Sequence, residues 1–145
     1  MKTTLVKTED NARAWYVVDA TDKPAGRLAA EIAHLLRGKN KVTYAPNMDG
    51  GDFVVVINSS KVKLTGSKEE QKTYKNYSGF PGGLKIQNAA TIRAKNPNRI
   101  IEQAVKGMLP KNKLSRTQIT RLKVYPGAEH PHVAQQPVAL ELKAN

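Results

Sequence analysis

The sequence predicts an α/β domain that opens with a parallel strand–helix–strand unit. Two apolar segments, AWYVVDAT and DFVVVIN, carry the β-branched and aromatic residues that are typical of strands. The residues between them repeat apolar side chains at helical spacing. A chain of 145 residues fits one domain and is long enough to bury a hydrophobic core.

The helix that links the two strands is predicted from Pro24 to Arg37. Either Thr21 or Asp22 can cap its first free backbone N–H groups, and proline suits a first helical turn. Gly38 can adopt the left-handed conformation that ends many helices. The apolar residues of this segment fall on one helical face, formed by Leu28, Ile32, Leu35 and Leu36.

The second strand, Phe53–Ile57, is a continuous apolar run without alternation. Such a strand is buried on both faces, as in a sheet that helices cover. We therefore expect it to lie parallel to the first strand and beside it, with Val55 buried. The alternation of Val62 and Leu64 suggests a short further strand. Residues 71–85 contain three glycines and one proline, so they are predicted to be mostly loop.

The clearest helix is predicted in the segment KNPNRIIEQAVKGMLP. Asn96 is a good cap, Pro97 suits the first helical position, and Pro110 stops the helix. Gly107 inside the helix costs about 1 kcal/mol relative to alanine, which suggests that another group packs very close there. The predicted apolar stripe consists of Ile100, Ile101, Ala104, Val105, Met108 and Leu109.

A second short helix is predicted to start at Ser115. Its hydroxyl can cap the helix while the side chain of Gln118 reaches back to the cap residue. Leu122 and Val124 then alternate with polar residues as a strand.

No internal repeat, low-complexity tract or long linker divides the chain, so one domain is predicted from residue 1 to residue 145. Residues 1–14 are expected to form an N-terminal extension. Residues 128–145 are expected to form an extended C-terminal arm, since Pro131 disfavours helix in the residue before it.

Charge is distributed unevenly along the chain. The sequence has 24 Lys and Arg against 12 Asp and Glu, a net charge of +12 and a pI of about 10.0. Between Glu70 and Glu129, Glu102 is the one acidic residue beside twelve basic residues, so this segment carries +11 of the total. Like charges repel, and such a stretch costs stability unless an anion neutralises it. The pattern predicts a surface that binds a polyanion.

The composition excludes several classes of site. The absence of cysteine rules out structural disulfides, thiolate metal sites and cysteine nucleophiles. No apolar run approaches the ~20 residues that span a bilayer, so no membrane contact is expected. The first residues lack an apolar signal core, so a cytoplasmic protein is expected.

Motifs of nucleotide-using and hydrolytic enzymes are absent. The turn DATDKPAG has one glycine where the dinucleotide fingerprint needs three, and TGSKEE lacks the first glycine of a phosphate loop. Neither Ser59 nor Ser60 lies in the G-x-S-x-G pattern of a hydrolase. We therefore expect no catalysis, no cofactor and no small-molecule substrate. A nucleotide-using α/β enzyme is kept only as an alternative.

Two groups of residues resemble metal ligands, both weakly. Asp49 and Asp52 flank two glycines and could bind Mg²⁺, but a polar turn before a buried strand is the favoured interpretation. His130 and His132 form a single H-x-H without a third ligand at a known spacing. No metal site is predicted.

The basic part of the chain also contains aromatic residues. Tyr74, Tyr77 and Phe80 alternate with lysines, and such side chains stack on unpaired bases while lysine neutralises phosphates. They could instead cover the edge of the core under a loop. Sequence motifs for duplex DNA are not visible, so folded RNA is favoured and an architectural DNA-binding protein remains an alternative. The predicted RNA-binding residues are Lys72, Tyr74, Lys75, Tyr77, Phe80, Lys85, Lys106, Lys111, Lys113, Arg116, Arg121 and Lys123.

Five segments of the chain are together similar to a known family. They are WYVVDATDKPAGRLAAEIAHLLRGKNK, YAPNMDGGDFVVVIN, YSGFPGGLK, GMLPKNKLSR and LKVYPGAEHPHVAQQP, in this order. Through them the chain resembles bacterial-type large-subunit ribosomal protein thirteen over essentially its whole length. Ser115 departs from the pattern, because many relatives have glycine before the arginine, but serine suits a helix cap.

The resemblance implies a single three-layer α/β/α domain with a mainly parallel sheet. The charge pattern and the prolines of the tail add basic loops and an extended C-terminal arm to this prediction. It implies binding to large-subunit ribosomal RNA, beside neighbouring large-subunit ribosomal proteins, and an early role in subunit assembly. It implies no catalysis and a cytoplasmic location in the ribosome.

Overall fold

A computed structural model of the chain describes residues 12–142 and centres on a parallel β-sheet. In chain order the strands are β1 Trp15–Asp19, β2 Phe53–Ile57, β3 Thr73–Tyr77, β4 Leu84–Asn88, β5 Leu122–Val124 and β6 Val138–Ala139. The helices are α1 Ala25–Arg37, α2 Lys68–Gln71, α3 Ala89–Lys95, α4 Asn98–Met108 and α5 Lys113–Gln118, with 3₁₀ turns at Ser59–Lys61 and Ile119–Arg121.

The main sheet has the strand order β5-β2-β1-β6, and each of its pairs is parallel. β1 and β2 are neighbours, with Val17 opposite Val55, and α1 connects them. Val55 has no exposed surface. These observations confirm the predicted strand–helix–strand unit and an α/β domain with a mainly parallel sheet.

One face of the sheet packs against α1 and α4 and forms the core. The strand residues of this core are Val18, Val54, Val56, Leu122 and Val124, and the helices add Leu28, Ile32, Leu36, Ile101 and Val105. Within each helix these residues repeat at the four-residue spacing that places apolar side chains on one side of a helix. The apolar stripe predicted for α1 is confirmed, and so are Ile100, Ile101, Val105 and Leu109 of the second stripe. Met108, also placed on that stripe, is 44% exposed, so this part of the prediction was wrong.

The opposite face of the sheet carries a group of aromatic rings. Trp15 on β1 stacks on Phe53 on β2, with ring centroids 4.3 Å apart and an interplanar angle of 3°. The ring of His132 lies 5.2 Å from Trp15, and a 2.9 Å hydrogen bond joins its Nε2 to the Tyr125 hydroxyl. On this face the C-terminal arm, and not a helix, supplies these contacts.

The C-terminal arm returns to the sheet. Its strand β6 pairs with β1, and the N–H of Leu140 donates to the carbonyl of Val17 at 2.9 Å. The arm is thus extended, as predicted, but part of it forms the fourth strand of the main sheet. The end of the arm beyond residue 142 and residues 1–11 of the N-terminal extension lie outside the described residues.

The start of α1 differs from the prediction. Thr21 donates its hydroxyl to Asp19 at 2.7 Å, and no side chain caps the helix. The first free N–H, that of Ala25, donates instead to the carbonyl of Lys63 at 2.9 Å. The predicted cap was wrong because a neighbouring backbone segment satisfies this donor. The predicted end is confirmed, since Gly38 is left-handed with φ of 73°.

The ends of α4 and α5 also correct the prediction. α4 begins at Asn98, and the side chain of Asn96 does not cap it. Asn112 caps α5, because its side-chain oxygen accepts from the N–H of Ser115 at 2.9 Å. Ser115 therefore lies inside the helix, and the predicted box with Gln118 does not form. Asparagine and serine are equally good caps, so the sequence pattern alone did not separate them.

Residues 73–88, most of which were predicted to be loop, form an antiparallel hairpin. β3 pairs with β4 from Thr73 opposite Asn88 to Tyr77 opposite Leu84. Gly79 and Gly82 take left-handed φ values of 88° and 71° in the turn, a conformation that glycine adopts without steric cost. The glycines thus close a hairpin. The strand suggested at Val62 and Leu64 is reduced to one bridge between Lys63 and Pro24.

A close backbone contact fixes the start of β2. A Cβ atom on Gly51 would lie 1.8 Å from the carbonyl oxygen of Leu36, so the last turn of α1 touches the glycine backbone. Gly107 behaves in the opposite way, because a Cβ atom there would meet nothing within 4 Å among the described residues. No described group of this chain therefore packs against Gly107, and the close approach expected there is left to a partner such as RNA.

This contrast gives a test of the fold. Gly51→Ala should destabilise the protein by about 1–3 kcal/mol, because the methyl group overpacks the contact with α1. Gly107→Ala should stabilise it by about 0.5–1 kcal/mol, since alanine costs less entropy in an exposed helix interior. Urea unfolding followed by circular dichroism measures both, and equal midpoints for the two variants would contradict this geometry.

Candidate nucleic-acid interface

Seven of the predicted cations are exposed on the surface. They are Lys72, Lys75, Lys85, Lys106, Lys111, Lys113 and Arg116. Within residues 12–142, ion pairs to carboxylates form at Arg13, Lys41, Arg93 and Arg121, and none involves these seven. Their charges are therefore available to an external anion.

Four of these cations form what we call the corner patch: Lys106, Lys111, Lys113 and Arg116. Lys106 lies in the last turn of α4, and Lys111 follows Pro110 where that helix has ended. The Asn112 cap then starts α5 at once, so Lys113 and Arg116 fall on its first turns. Lys106, Lys111 and Arg116 line one depression at this junction, and Lys113 follows Lys111 by two residues. Mutual repulsion among such close like charges favours an anion.

The other three exposed cations belong to the hairpin. In its register Lys75 lies opposite Ile86, and Tyr77 lies opposite Leu84, so all four side chains share one face. Tyr77 is 62% exposed, and Phe80 in the turn is 73% exposed. We call Lys72, Lys75, Tyr77, Phe80 and Lys85 the hairpin patch. On one face Lys75 lies beside the exposed ring of Tyr77, as stacking on bases requires. Lys85, opposite Asn76, and Lys72, over the ring of Tyr74, lie on the other face of the hairpin.

Tyr74 does not share this exposure. It faces the side opposite Tyr77 and packs against the core. Burial, and then the nearby Glu69 carboxylate, raises the pKa of its hydroxyl. The Nζ of Lys72 lies 5.3 Å from its ring centroid. The ring of Tyr74 thus packs the hairpin against the core. This agrees with the alternative that the aromatic residues cover the edge of the core.

Arg121 is also removed from the surface. It is 3% exposed, donates to the carbonyl of Gly51 at 3.1 Å and forms an ion pair with Asp49. Burial, and then the charge of Arg13, lowers the pKa of its guanidinium to about 10, so it stays charged at neutral pH. The fold uses this cation internally, which withdraws support from its predicted contact with RNA.

Two further cations of the basic segment, Lys123 and Arg93, are partly or wholly engaged within the fold. Lys123 is half-buried on β5 opposite Val55, on the face of the sheet away from α1. Arg93 binds Glu69 at 2.8 Å and also donates to the carbonyls of Ser60 and Val62. The Arg93 hydrogen bonds hold the pKa of Glu69 below its ordinary value. Not every cation of the run is therefore available to a ligand.

The prediction omitted three residues that line these surfaces. Leu84 and Ile86 are exposed beside Tyr77, which only the hairpin register shows. Arg99 lines a depression beside Lys106. Period-two alternation in LKIQN, after a glycine-containing turn and the β-favouring tyrosines of TYKNY, was the pattern that could have indicated the hairpin.

The two aspartates that flank the paired glycines are engaged within the fold. Asp52 pairs with Lys41 at 2.6 Å, and Asp49 pairs with Arg121, so both carboxylates hold cations of the chain itself. Residues 12–142 contain no group of three His, Cys, Asp or Glu side chains that could hold a metal ion. Among the described helices, none has the length and apolarity needed to cross a membrane.

Comparison with known proteins identifies a family that matches most of the chain. The family described as Ribosomal protein L13 matches residues 13–131. Large ribosomal subunit protein uL13 of Thermosynechococcus vestitus is 58% identical over 98% of this chain and 93% of its own length. The proteins of the same name from Beutenbergia cavernae and Halorhodospira halophila are each 54% identical over 98% of this chain, and the match covers 97% and 100% of their lengths.

The family match and the relatives agree with the sequence segments that suggested the same family. The match covers the main sheet as far as β5, the hairpin patch and the corner patch. On this evidence the chain belongs to the Ribosomal protein L13 family.

Proposed function

We propose that this chain, a structural constituent of the large ribosomal subunit and not an enzyme, binds large-subunit ribosomal RNA through the corner patch and the hairpin patch. The observation that carries the proposal is the set of seven exposed cations without an acidic partner in residues 12–142. The curated relatives support the location, since each is named as a protein of the large ribosomal subunit.

The corner patch suits RNA phosphates. A cation that contacts a phosphate releases condensed counterions, and this release drives binding at low salt. The phosphates of an RNA backbone would offset the mutual repulsion of the four exposed cations on this corner. Asn112 fixes the helix start between them, so the patch is preorganised by a hydrogen bond that uses none of its charges.

The hairpin patch suits an unpaired segment of RNA. Tyr77 and Phe80 are exposed rings, and Lys75 shares the face of Tyr77. Aromatic rings stack on bases of any sequence, while the neighbouring lysines contact the backbone. Leu84 and Ile86 on the same face add an apolar surface, which neighbouring ribosomal proteins of the subunit could also contact.

The same patches give the chain a role in assembly. A protein that neutralises phosphates can hold folded RNA segments together before other components join, so we infer that it acts early in assembly of the subunit. Pulse-labelled cells separated on sucrose gradients would show the time of its entry. Its appearance only in mature subunits would argue against an early role.

The corner patch generates a quantitative prediction. Lys111→Ala, Lys113→Ala and Arg116→Ala made together should weaken binding to a large-subunit ribosomal RNA fragment and leave the fold intact, because all three side chains are exposed. The slope of log affinity against log salt should become shallower by about 2–3 units, since each phosphate contact contributes ~0.7–0.9. Filter binding over a salt series measures the slope, with circular dichroism as the folding check.

The matched control removes the same charge elsewhere. Lys39, Lys61 and Lys63 are also exposed, and their triple alanine variant should change the slope much less. An equal loss of slope in both variants would mean that total charge, and not the corner, sets the affinity. Competition between RNA and duplex DNA at fixed salt tests the DNA-binding alternative, which requires DNA to compete as well as RNA.

The hairpin patch predicts a different signature. Tyr77→Ala and Phe80→Ala should each weaken RNA binding by about 1–3 kcal/mol while the salt slope stays unchanged, because stacking releases no counterions. Tyr74→Ala should instead lower the urea midpoint, since that ring packs against the core. Unchanged RNA affinity in the first two variants would remove the hairpin from the interface.

A further inference from the structure

The corner patch surrounds a cavity that phosphate contacts alone do not explain. The cavity has a volume of about 330 Å³ and lies where α4 turns into α5. Its lining includes Leu109, Pro110 and Ile119, and most of its surface is apolar. Protein sites for small planar ligands begin at about this size and share this apolar character. A phosphate group, which is small and charged, gains nothing from such walls.

One polar group in this lining lacks a partner. Ser115 is 8% exposed, and its hydroxyl oxygen is itself buried and makes no hydrogen bond within residues 12–142. Its backbone N–H is satisfied by Asn112, so the hydroxyl alone is left over. Buried hydroxyl groups nearly always have a hydrogen-bond partner, and an exception calls for a ligand or water.

The rim of the cavity is cationic, and a second depression adjoins it. Lys106, Lys111 and Arg116 line the cavity itself. The neighbouring depression shares Lys106 and Ile119 with it and is also lined by Arg99 and Glu102. A strand of RNA following these cations would pass the mouth of the cavity, with one carboxylate beside its path.

We propose that the cavity receives one unstacked nucleobase of RNA. The base lies against Leu109, Pro110 and Ile119, and Lys106, Lys111 and Arg116 contact the flanking phosphates. Rotation about the Cα–Cβ bond of Ser115 brings its hydroxyl to a polar edge of the base. Unpaired bases that leave the stack are the elements that proteins recognise in folded RNA. The inference rests on the proposed function and adds a binding pocket for one nucleobase within the corner patch.

The test uses the full chain and small probes. Backbone amide NMR follows titration with each nucleoside 5′-monophosphate, with ribose 5-phosphate, and with N-acetyl-phenylalaninamide, which represents an apolar side chain of a neighbouring protein. At least one nucleotide should shift the amides of residues 109–119 with an affinity about tenfold above that of ribose 5-phosphate, because the base adds apolar contact. Equal affinities for the nucleotides and ribose 5-phosphate, or a stronger response to the phenylalanine amide, would overturn the proposal.

Two serine variants locate the effect. Ser115→Ala should reduce the preference for nucleotide over ribose 5-phosphate by about threefold or more while ribose 5-phosphate binding stays unchanged. Ser67→Ala changes an exposed serine that caps no helix through its side chain and should behave as wild type. An unchanged preference in Ser115→Ala would overturn the role of that hydroxyl. A shallower salt slope in the corner variant, without any nucleotide preference, would reject the pocket and keep the proposed function.

Discussion

The buried carboxylate of Asp52 joins three parts of the chain that the fold must hold together. Its Oδ1 accepts the backbone N–H of Ala14 at 3.0 Å, just before β1, and pairs with Lys41 beyond α1 at 2.6 Å. The backbone N–H of Asp52 donates to the carbonyl of Leu35, near the end of α1, at 3.2 Å. A fully buried carboxylate costs several kcal/mol unless it is paired and hydrogen-bonded, so these partners must be present together.

The same loop connects the core to the surface that we assign to RNA. Asp49 and the carbonyl of Gly51 hold Arg121, which follows α5 and leads directly into β5. The loop before β2 therefore fixes the far end of the segment that carries the corner patch. Buried Arg121 thus anchors the segment that carries the exposed cations of the corner patch. The basic segment can therefore stabilise the fold through one residue and bind an anionic partner through the others.

Strands and helix faces that depend on apolar periodicity could be predicted from the sequence. Helix caps could not be predicted where a distant backbone carbonyl satisfies the first N–H. The buried run at Phe53–Ile57 and the stripe of α1 follow from side-chain spacing, which burial enforces. The helix caps did not, because the partner of Ala25 is the carbonyl of Lys63, far along the chain. Within the candidate site, Arg116 and Arg121 look alike in the sequence, yet one is exposed and the other buried. Tyr74 and Tyr77 differ for a related reason, since only the hairpin register sets their faces.

The pairing of β6 with β1 makes the order of synthesis matter. β1 lies near the beginning of the described chain and β6 near its end, while β2 follows β1 after a single helix. As the chain is made, β1 can pair with β2 early, but its other edge keeps unpaired N–H and C=O groups until the last strand emerges. Such an open edge can pair with another chain. The pairing of β6 thus covers part of this edge, at Tyr16 and Val17, only late in synthesis.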